Sequence, residues 1–180
     1  MSKLACVIGY KRGIGKEIAN VAKAQGYDLY LVGKNDWDVK EPKLLSEAIQ
    51  EKSQAYSKCT VFIVAHLGFE AINLLETLMN SNVGNLSIVF LGSLVTTQTR
   101  NSLYKYHIEK SASAQAVKQL QLQYPKKDLL IINPGWVDTN LIEHIEGEKI
   151  DPKVLAEYIF HIKAFSENFS IRTLSVDVVR

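Results

Sequence analysis

The sequence predicts a three-layer α/β/α domain: a doubly wound, mostly parallel sheet of about six to seven strands with helices on both faces. Three observations carry that expectation. Short apolar runs alternate with longer segments of helical period along the chain, the pattern of βα units laid side by side. Several of the short runs, such as residues 4–9 and 60–65, are apolar at almost every position, as strands covered on both faces are. The first run opens at once into a glycine-rich turn, residues 9–15, with a helix starting inside it.

The elements follow in order. Residues 13–25 place Ile14, Ile18, Val21 and Ala22 at helical spacing, and Gly26 is positioned to stop that helix. Residues 28–33 read as the second strand and 34–40 as a short polar stretch. Pro42 suits the first turn of a helix reaching about residue 55. A third strand over 60–65, a helix over 69–79 and a strand over 86–93 come next, the last opening into a loop rich in Ser and Thr. A long helix over about 101–124 is ended by Pro125. The strand over 128–133 is broken by Pro134-Gly135. Asp151 suits an N-cap for a helix from Pro152 to about residue 164, and residues 171–179 alternate as a last strand. The crossovers are expected to be right-handed.

Length and composition bound the function. With 180 residues, 47% of them hydrophobic, the chain fits one domain over 1–180 with a sizeable core. Its 21 basic and 19 acidic residues leave a net charge of +2, which gives no reason to expect a nucleic-acid or membrane partner. Cys6 and Cys59 lack CxxC spacing and read as ordinary reduced thiols, with no metal site implied. The N-terminus runs straight into a strand pattern without a secretory cleavage signal, and no apolar run is long enough to span a bilayer. The default compartment is the cytoplasm. No repeat, low-complexity segment or linker divides the chain.

Two features carry chemistry. In the turn Gly9-Tyr10-Lys11-Arg12-Gly13-Ile14-Gly15, glycines permit a tight turn and close backbone approach to a diphosphate. The helix that follows offers free N–H groups and a favourable dipole to an anion. Tyr106 and Lys110 stand four residues apart on a helix and so share one face. An ammonium beside a phenol, whose ordinary pKa is about 10, favours the phenolate. Such a pair can give and take a proton near neutral pH. Taken alone, each feature is also explained by a plain tight turn and a plain helix surface.

Taken together and in order, the motifs are similar to those of the short-chain dehydrogenase/reductase family, over nearly the whole chain. The family's glycine turn matches Ile8 to Gly15, and its Asp-Val after the third strand matches Asp38-Val39. Its Asn-Asn-Ala-Gly is changed to Ala65-His66-Leu67-Gly68. Its catalytic Ser matches Ser93, thirteen positions before Tyr106, the family's habitual interval. Its Pro-Gly-x-Val-x-Thr matches Pro134-Gly135-Trp136-Val137-Asp138-Thr139, a segment that looks like the carbonyl-reductase-like branch.

The resemblance implies a Rossmann fold and hydride transfer between a nicotinamide and a carbonyl or alcohol, the cofactor supplying the hard chemistry. Tyr106 would move the proton. Lys110 would depress the Tyr106 pKa and contact the nicotinamide ribose. Ser93 would hydrogen-bond the substrate oxygen, and Asn73, in the preceding helix, would hold a relay water. Bringing a phenol from about 10 to near 7 needs roughly 4 kcal/mol. Gly9, Lys11, Arg12, Gly13, Ile14 and Gly15 would cradle the cofactor, with Asp38 and Val39 at the adenine. Ala65, His66 and Gly68 would line the cleft, and Pro134, Gly135, Val137 and Thr139 would hold the carboxamide. The second strand ends in Lys34-Asn35 without a carboxylate. With Lys11 and Arg12 nearby, this favours NADP(H) over NAD(H). His66 is expected to pack rather than react, and His107 and Glu109 to point away into solvent. Trp136 fits a substrate-pocket or a plain packing role.

The chain also departs from the family. It is short, its second-to-third-strand helix is missing, and only residues 140–150 are available to cover a substrate. The resemblance implies a homodimer through the helix before Ser93 and the helix bearing Tyr106, with Ala112, Ser113 and Ala116 permitting close packing. A non-catalytic nucleotide-binding relative, acting as sensor or scaffold, is the alternative. The trimming favours it, and the intact Ser93, Tyr106 and Lys110 favour an enzyme. A nucleotide-sugar epimerase or dehydratase shares the Tyr-Lys pair but needs a larger C-terminal domain.

Overall fold

The structure, a computed structural model, describes residues 2–33, 41–65, 68–96, 104–165 and 171–178. Lys34, Asn35, Asp38, Val39 and His66 lie outside the described residues. Among the described residues six strands form one sheet: β1 (Lys3–Ile8), β2 (Asp28–Val32), β3 (Lys58–Ile63), β4 (Leu86–Leu91), β5 (Asp128–Pro134) and β6 (Thr173–Val176). All neighbours pair in parallel, in the order β2-β1-β3-β4-β5-β6. Among the described residues five α-helices connect them: α1 (Gly13–Ala24), α2 (Pro42–Ser53), α3 (Glu70–Met79), α4 (Tyr104–Gln123) and α5 (Pro152–Phe165). Two expectations are corrected: a helix, α2, does join the second and third strands, and Asp38-Val39 come before the third strand in the chain, not after it. This is the Rossmann-type arrangement that the alternating pattern predicts.

Strand side chains alternate between two cores. Leu4, Cys6 and Ile8 of β1 face a layer that includes Leu45 and Ile49 of α2, Leu74, Leu75 and Leu78 of α3, and Val117 and Leu120 of α4. Ala5 and Val7 face the other layer, with Ile18 and Ala22 of α1 and Leu155, Ile159 and Phe160 of α5. Both faces of β1, β3, β4 and β5 are thus covered, which is why these strands read as unbroken apolar runs.

The side on which each helix lies fixes the hand of each crossover, and here one expectation is corrected. From β1 to β2 the chain steps one way along the sheet with α1 on one face. From β2 to β3, β3 to β4 and β4 to β5 it steps the other way with α2, α3 and α4 on the opposite face. Reversing both direction and face preserves the hand, so these four agree. The step from β5 to β6 continues in the same direction, but α5 lies on the α1 face. The last crossover therefore has the opposite hand, against the right-handed rule. Its connection, residues 135–151, is long and holds a 3-10 turn over Asn140–Ile142 before α5 begins. That length frees it from the constraint a tight βαβ unit imposes.

Element ends are set by local hydrogen bonds. Asp151 caps α5 as expected, its carboxylate accepting the Lys153 N–H at 2.7 Å. Gly26 follows α1, where the Tyr27 N–H returns to the Ala22 carbonyl at 3.0 Å. β3 stops two residues before the predicted end. The N–H groups of Val64 and Ala65 both turn to the Ile8 carbonyl, at 3.1 and 3.0 Å, because β1 has itself ended there. Lys163 of α5 is buried and makes a two-pronged ion pair with Asp128 of β5, at 2.9 and 2.7 Å, which ties the reversed crossover to the sheet. Cys6 and Cys59 are buried free thiols. Among the described residues no helix is long and apolar enough to cross a membrane.

Candidate active site

Parallel strands bring their carboxyl ends to one edge, so the loops after β1, β3, β4 and β5 gather there. The loop after β1 is the glycine turn, and its glycines are required by contact. A Cβ on Gly15 would stand 2.1 Å from the Gly9 carbonyl oxygen, and one on Gly9 would meet the Ala65 nitrogen at 2.8 Å. Gly9 and Gly13 also have φ of +97° and +55°, a region side chains disfavour. A Cβ on Gly13 would stand 3.0 Å from the Thr139 methyl. The turn therefore packs on itself, on the end of β3 and on the segment after β5. Arg12 is the N-cap of α1 in extended conformation, with no side-chain cap bond and no acidic residue in the first turn. Lys11 and Arg12 are exposed. Free backbone N–H groups, two cations and room for no side chain make a cradle that fits a dinucleotide phosphate.

The second cluster lies after β4. Ser93 opens a short 3-10 turn over Leu94–Thr96, and its hydroxyl oxygen accepts the Val95 N–H at 3.2 Å. The Ser93 side chain is also hydrogen-bonded to the Tyr106 phenol. Lys110, one turn further along α4, places its ammonium 5.8 Å from the centre of the Tyr106 ring. Ser93, Tyr106 and Lys110 are all half-buried. Burial pushes the Tyr106 pKa above 10.0, the Ser93 hydrogen bond pulls it down, and the Glu109 carboxylate pushes it up. Burial also lowers the Lys110 pKa, and Glu109 opposes that shift.

Other expected residues divide. Asn73 sits on the exposed face of α3 with its amide donating to the Glu70 carboxylate at 3.1 Å. It faces away from the core, because the inward face of α3 is taken by Leu74, Leu75 and Leu78. Glu109 does not point away. It is half-buried, and its Oε1 lies against Gly68. His107 is half-buried too, with a buried Nδ1 that has no hydrogen-bond partner. Ser113, expected at a dimer face, is buried, its hydroxyl bonded to the Glu109 carbonyl at 2.8 Å. Of the three small residues only Ala112 is exposed, beside Ile108.

After β5, the buried Pro134 ends the strand, and the Gly135 N–H reaches the Val176 carbonyl at 2.7 Å. Val137 is buried and bridges Ile150, so residues 138–149 form a loop closed at its base. Inside that loop a Cβ on Gly147 would stand 3.2 Å from the Trp136 ring. One placement escaped the sequence: a Cβ on Gly92 would stand 2.0 Å from the Asn133 side-chain oxygen, a buried atom without a hydrogen-bond partner. The glycine beside Ser93 makes room for that amide. Its position just before the serine was the available signal.

An α/β sheet with a glycine turn at the carboxyl edge, and Ser93, Tyr106 and Lys110 gathered after β4, defines a Rossmann-type fold with a polar corner. No protein-family model and no curated protein matches the sequence. Solved structures match in fold. An alcohol dehydrogenase from the archaeon Thermococcus sibiricus, complexed with 5-hydroxy-NADP, is similar with a TM-score of 0.77 and 15% identity, covering 98% of this chain and 96% of that one. A short chain dehydrogenase from Burkholderia cenocepacia in complex with NADP gives 0.76 and 14% over 97% and 89%. A 3-ketoacyl-(acyl-carrier-protein) reductase from Brucella melitensis complexed with NADH gives 0.77 and 14% over 97% and 96%. The likeness is one of fold, and it runs nearly end to end in each pair.

Proposed function

We propose that the chain is an NADP(H)-dependent oxidoreductase that interconverts a carbonyl and an alcohol on a small molecule. The observation that carries this reading is the hydrogen bond between Ser93 and the Tyr106 phenol, with Lys110 one turn further along the same helix. The fold neighbours with bound NADP or NADH support it. Gly9, Gly13, Gly15 and the uncapped start of α1 would hold the cofactor's diphosphate, and Thr139 stands where the segment after β5 closes on that turn. Lys11 and Arg12 favour a cofactor with an extra phosphate. When bound, the nicotinamide supplies or accepts the hydride.

The chain's own residues handle the proton. Tyr106 holds it on Oη, and its raised pKa keeps it there at neutral pH, as a donor to a substrate oxygen requires. Ser93 donates to the same oxygen and shares its developing charge. Lys110 contributes a positive charge beside the phenol ring.

The test is a panel of aldehydes, ketones and quinones with NADPH on wild type and Tyr106→Phe, alongside fluorescence titrations of NADPH and NADH. Tyr106→Phe should bind NADPH as wild type does and lose roughly 10²–10⁴-fold in rate. NADPH should bind more tightly than NADH by about tenfold or more, a difference of ~1.4 kcal/mol. Equal affinities would remove the NADP(H) assignment. Activity unchanged in Tyr106→Phe would remove the proton-transfer role. NADPH binding without any turnover would leave the sensor or scaffold reading.

A further inference from the structure

Glu109 occupies a place that proton transfer between Ser93, Tyr106 and a substrate does not require. It stands three positions after Tyr106 and directly before Lys110, so it shares their turn of α4. A Cβ built on Gly68 would stand 2.5 Å from its Oε1 and 3.7 Å from its carboxyl carbon. Gly68 has φ +57° and directly precedes Phe69, the N-cap of α3. A carboxylate at that end of a helix is favourably placed in its dipole. Ala65, three positions earlier in the chain, packs on Gly9 of the cradle. One side chain thus connects the helix bearing the reactive pair to Gly68, a close chain neighbour of the residue that packs on the glycine turn.

We propose that Glu109 is a positioning residue whose carboxylate docks the Tyr106–Lys110 turn of α4 onto Gly68, fixing the reactive turn relative to the nucleotide cradle. The inference rests on the reading of Tyr106 and Lys110 as the reactive pair. Gly68 is then glycine for two reasons, its backbone conformation and the space the carboxylate needs. The docked charge also acts on its neighbours. Besides burial, Ser93 acts on the Tyr106 phenol by hydrogen bond and Glu109 by charge, and Glu109 acts on the Lys110 ammonium. Glu109 therefore favours the protonated form of both, a neutral phenol that can donate and a charged ammonium.

The experiment is a thermal-unfolding cycle of wild type, Gly68→Ala, Glu109→Ala and the double variant. Gly68→Ala should lower Tm by about 5 °C, a shift in the range a single strained substitution gives a chain of this size. In the Glu109→Ala background the loss should be smaller, because only the backbone strain remains. Equal losses in the two backgrounds would overturn the docking. Should Gly68→Ala not fold, Glu109→Gln carries the test, since it keeps the shape and removes the charge. Its Tyr106 phenol, followed by absorbance difference against Tyr106→Phe, should titrate lower by about half a unit or more, with Tm close to wild type. An unmoved midpoint would overturn the proposal. Neither readout needs turnover, so both stay decisive even if no carbonyl compound is reduced and the oxidoreductase reading fails.

Discussion

At the scale of single residues, Tyr106 is governed by a contest between burial and one hydrogen bond. Burial disfavours the phenolate, and the hydrogen bond with Ser93 favours it. Burial wins, since the pKa lies above 10.0. Ser93→Ala should therefore move the Tyr106 titration to still higher pH, read by the same phenol absorbance difference. A midpoint that falls, or stays, would mean that the Ser93 bond is not made in solution. The stability sign follows from the same shift. A phenol whose folded pKa exceeds its unfolded value contributes stability that is full below pH 10 and is lost as pH rises through the folded value. Glu109 shows what a residue-level reading can miss. Its spacing of three from Tyr106 already placed it on the reactive face. The weight given to charge, which usually means solvent, obscured that geometry.

At the scale of elements, the glycine turn is where sequence and structure agree most closely. Gly15 is buried inside α1 and faces the Gly9 carbonyl at a distance that no side chain tolerates. Gly15→Ala should unwind the first turn of α1 or push it off β1. The expected result is a loss of roughly 2–4 kcal/mol in urea unfolding, as overpacking and strain of this kind give, together with lost NADPH binding. Retained binding at wild-type stability would show that the turn is not held in this conformation. The turn was legible because its glycines are needed locally, within seven residues. The strands were legible because coverage on both faces leaves an unbroken apolar run. The end of β3 was not, because it depends on where β1 ends: Val64 and Ala65 continue the apolar run but spend their N–H groups on Ile8. The place of Asn73 was not either, because which face of α3 turns inward is set by the packing of Leu74, Leu75 and Leu78 and leaves Asn73 exposed. The reversed hand of the last crossover was hidden for a similar reason. Nothing in residues 152–165 says which face of the sheet they will cover until Leu155, Ile159 and Phe160 meet α1.

At the scale of the whole molecule, the sheet separates two apolar layers, and the two thiols lie together in one of them. Cys6 and Cys59 are both fully buried on the α2–α3–α4 side. Burial pushes the Cys59 pKa from 9.0 to about 12, and burial together with Cys59 pushes Cys6 well above 9.0. In the unfolded chain both thiols ionise near their ordinary value, so above pH 9 the unfolded state holds fewer protons than the folded one. Stability must then fall as pH rises, from about pH 9 through the folded values, by about 1.4 kcal/mol per pH unit for each thiol. Below pH 9 these groups contribute no slope. Urea unfolding at intervals from pH 7 to 11 should show a plateau followed by a decline, to which Tyr106 adds above pH 10. Cys59→Ala should start lower at pH 7 by about 1–2 kcal/mol, the cost of a small cavity, yet decline less steeply. The baseline offset cancels in the slope, so the slope reports the thiol alone. Removing Cys59 also removes its push on Cys6, but burial is the larger cause there and keeps Cys6 titrating high. An alkaline slope identical in the variant and wild type would mean that Cys59 ionises in the folded protein, and that the layer between the sheet and α2, α3 and α4 admits water.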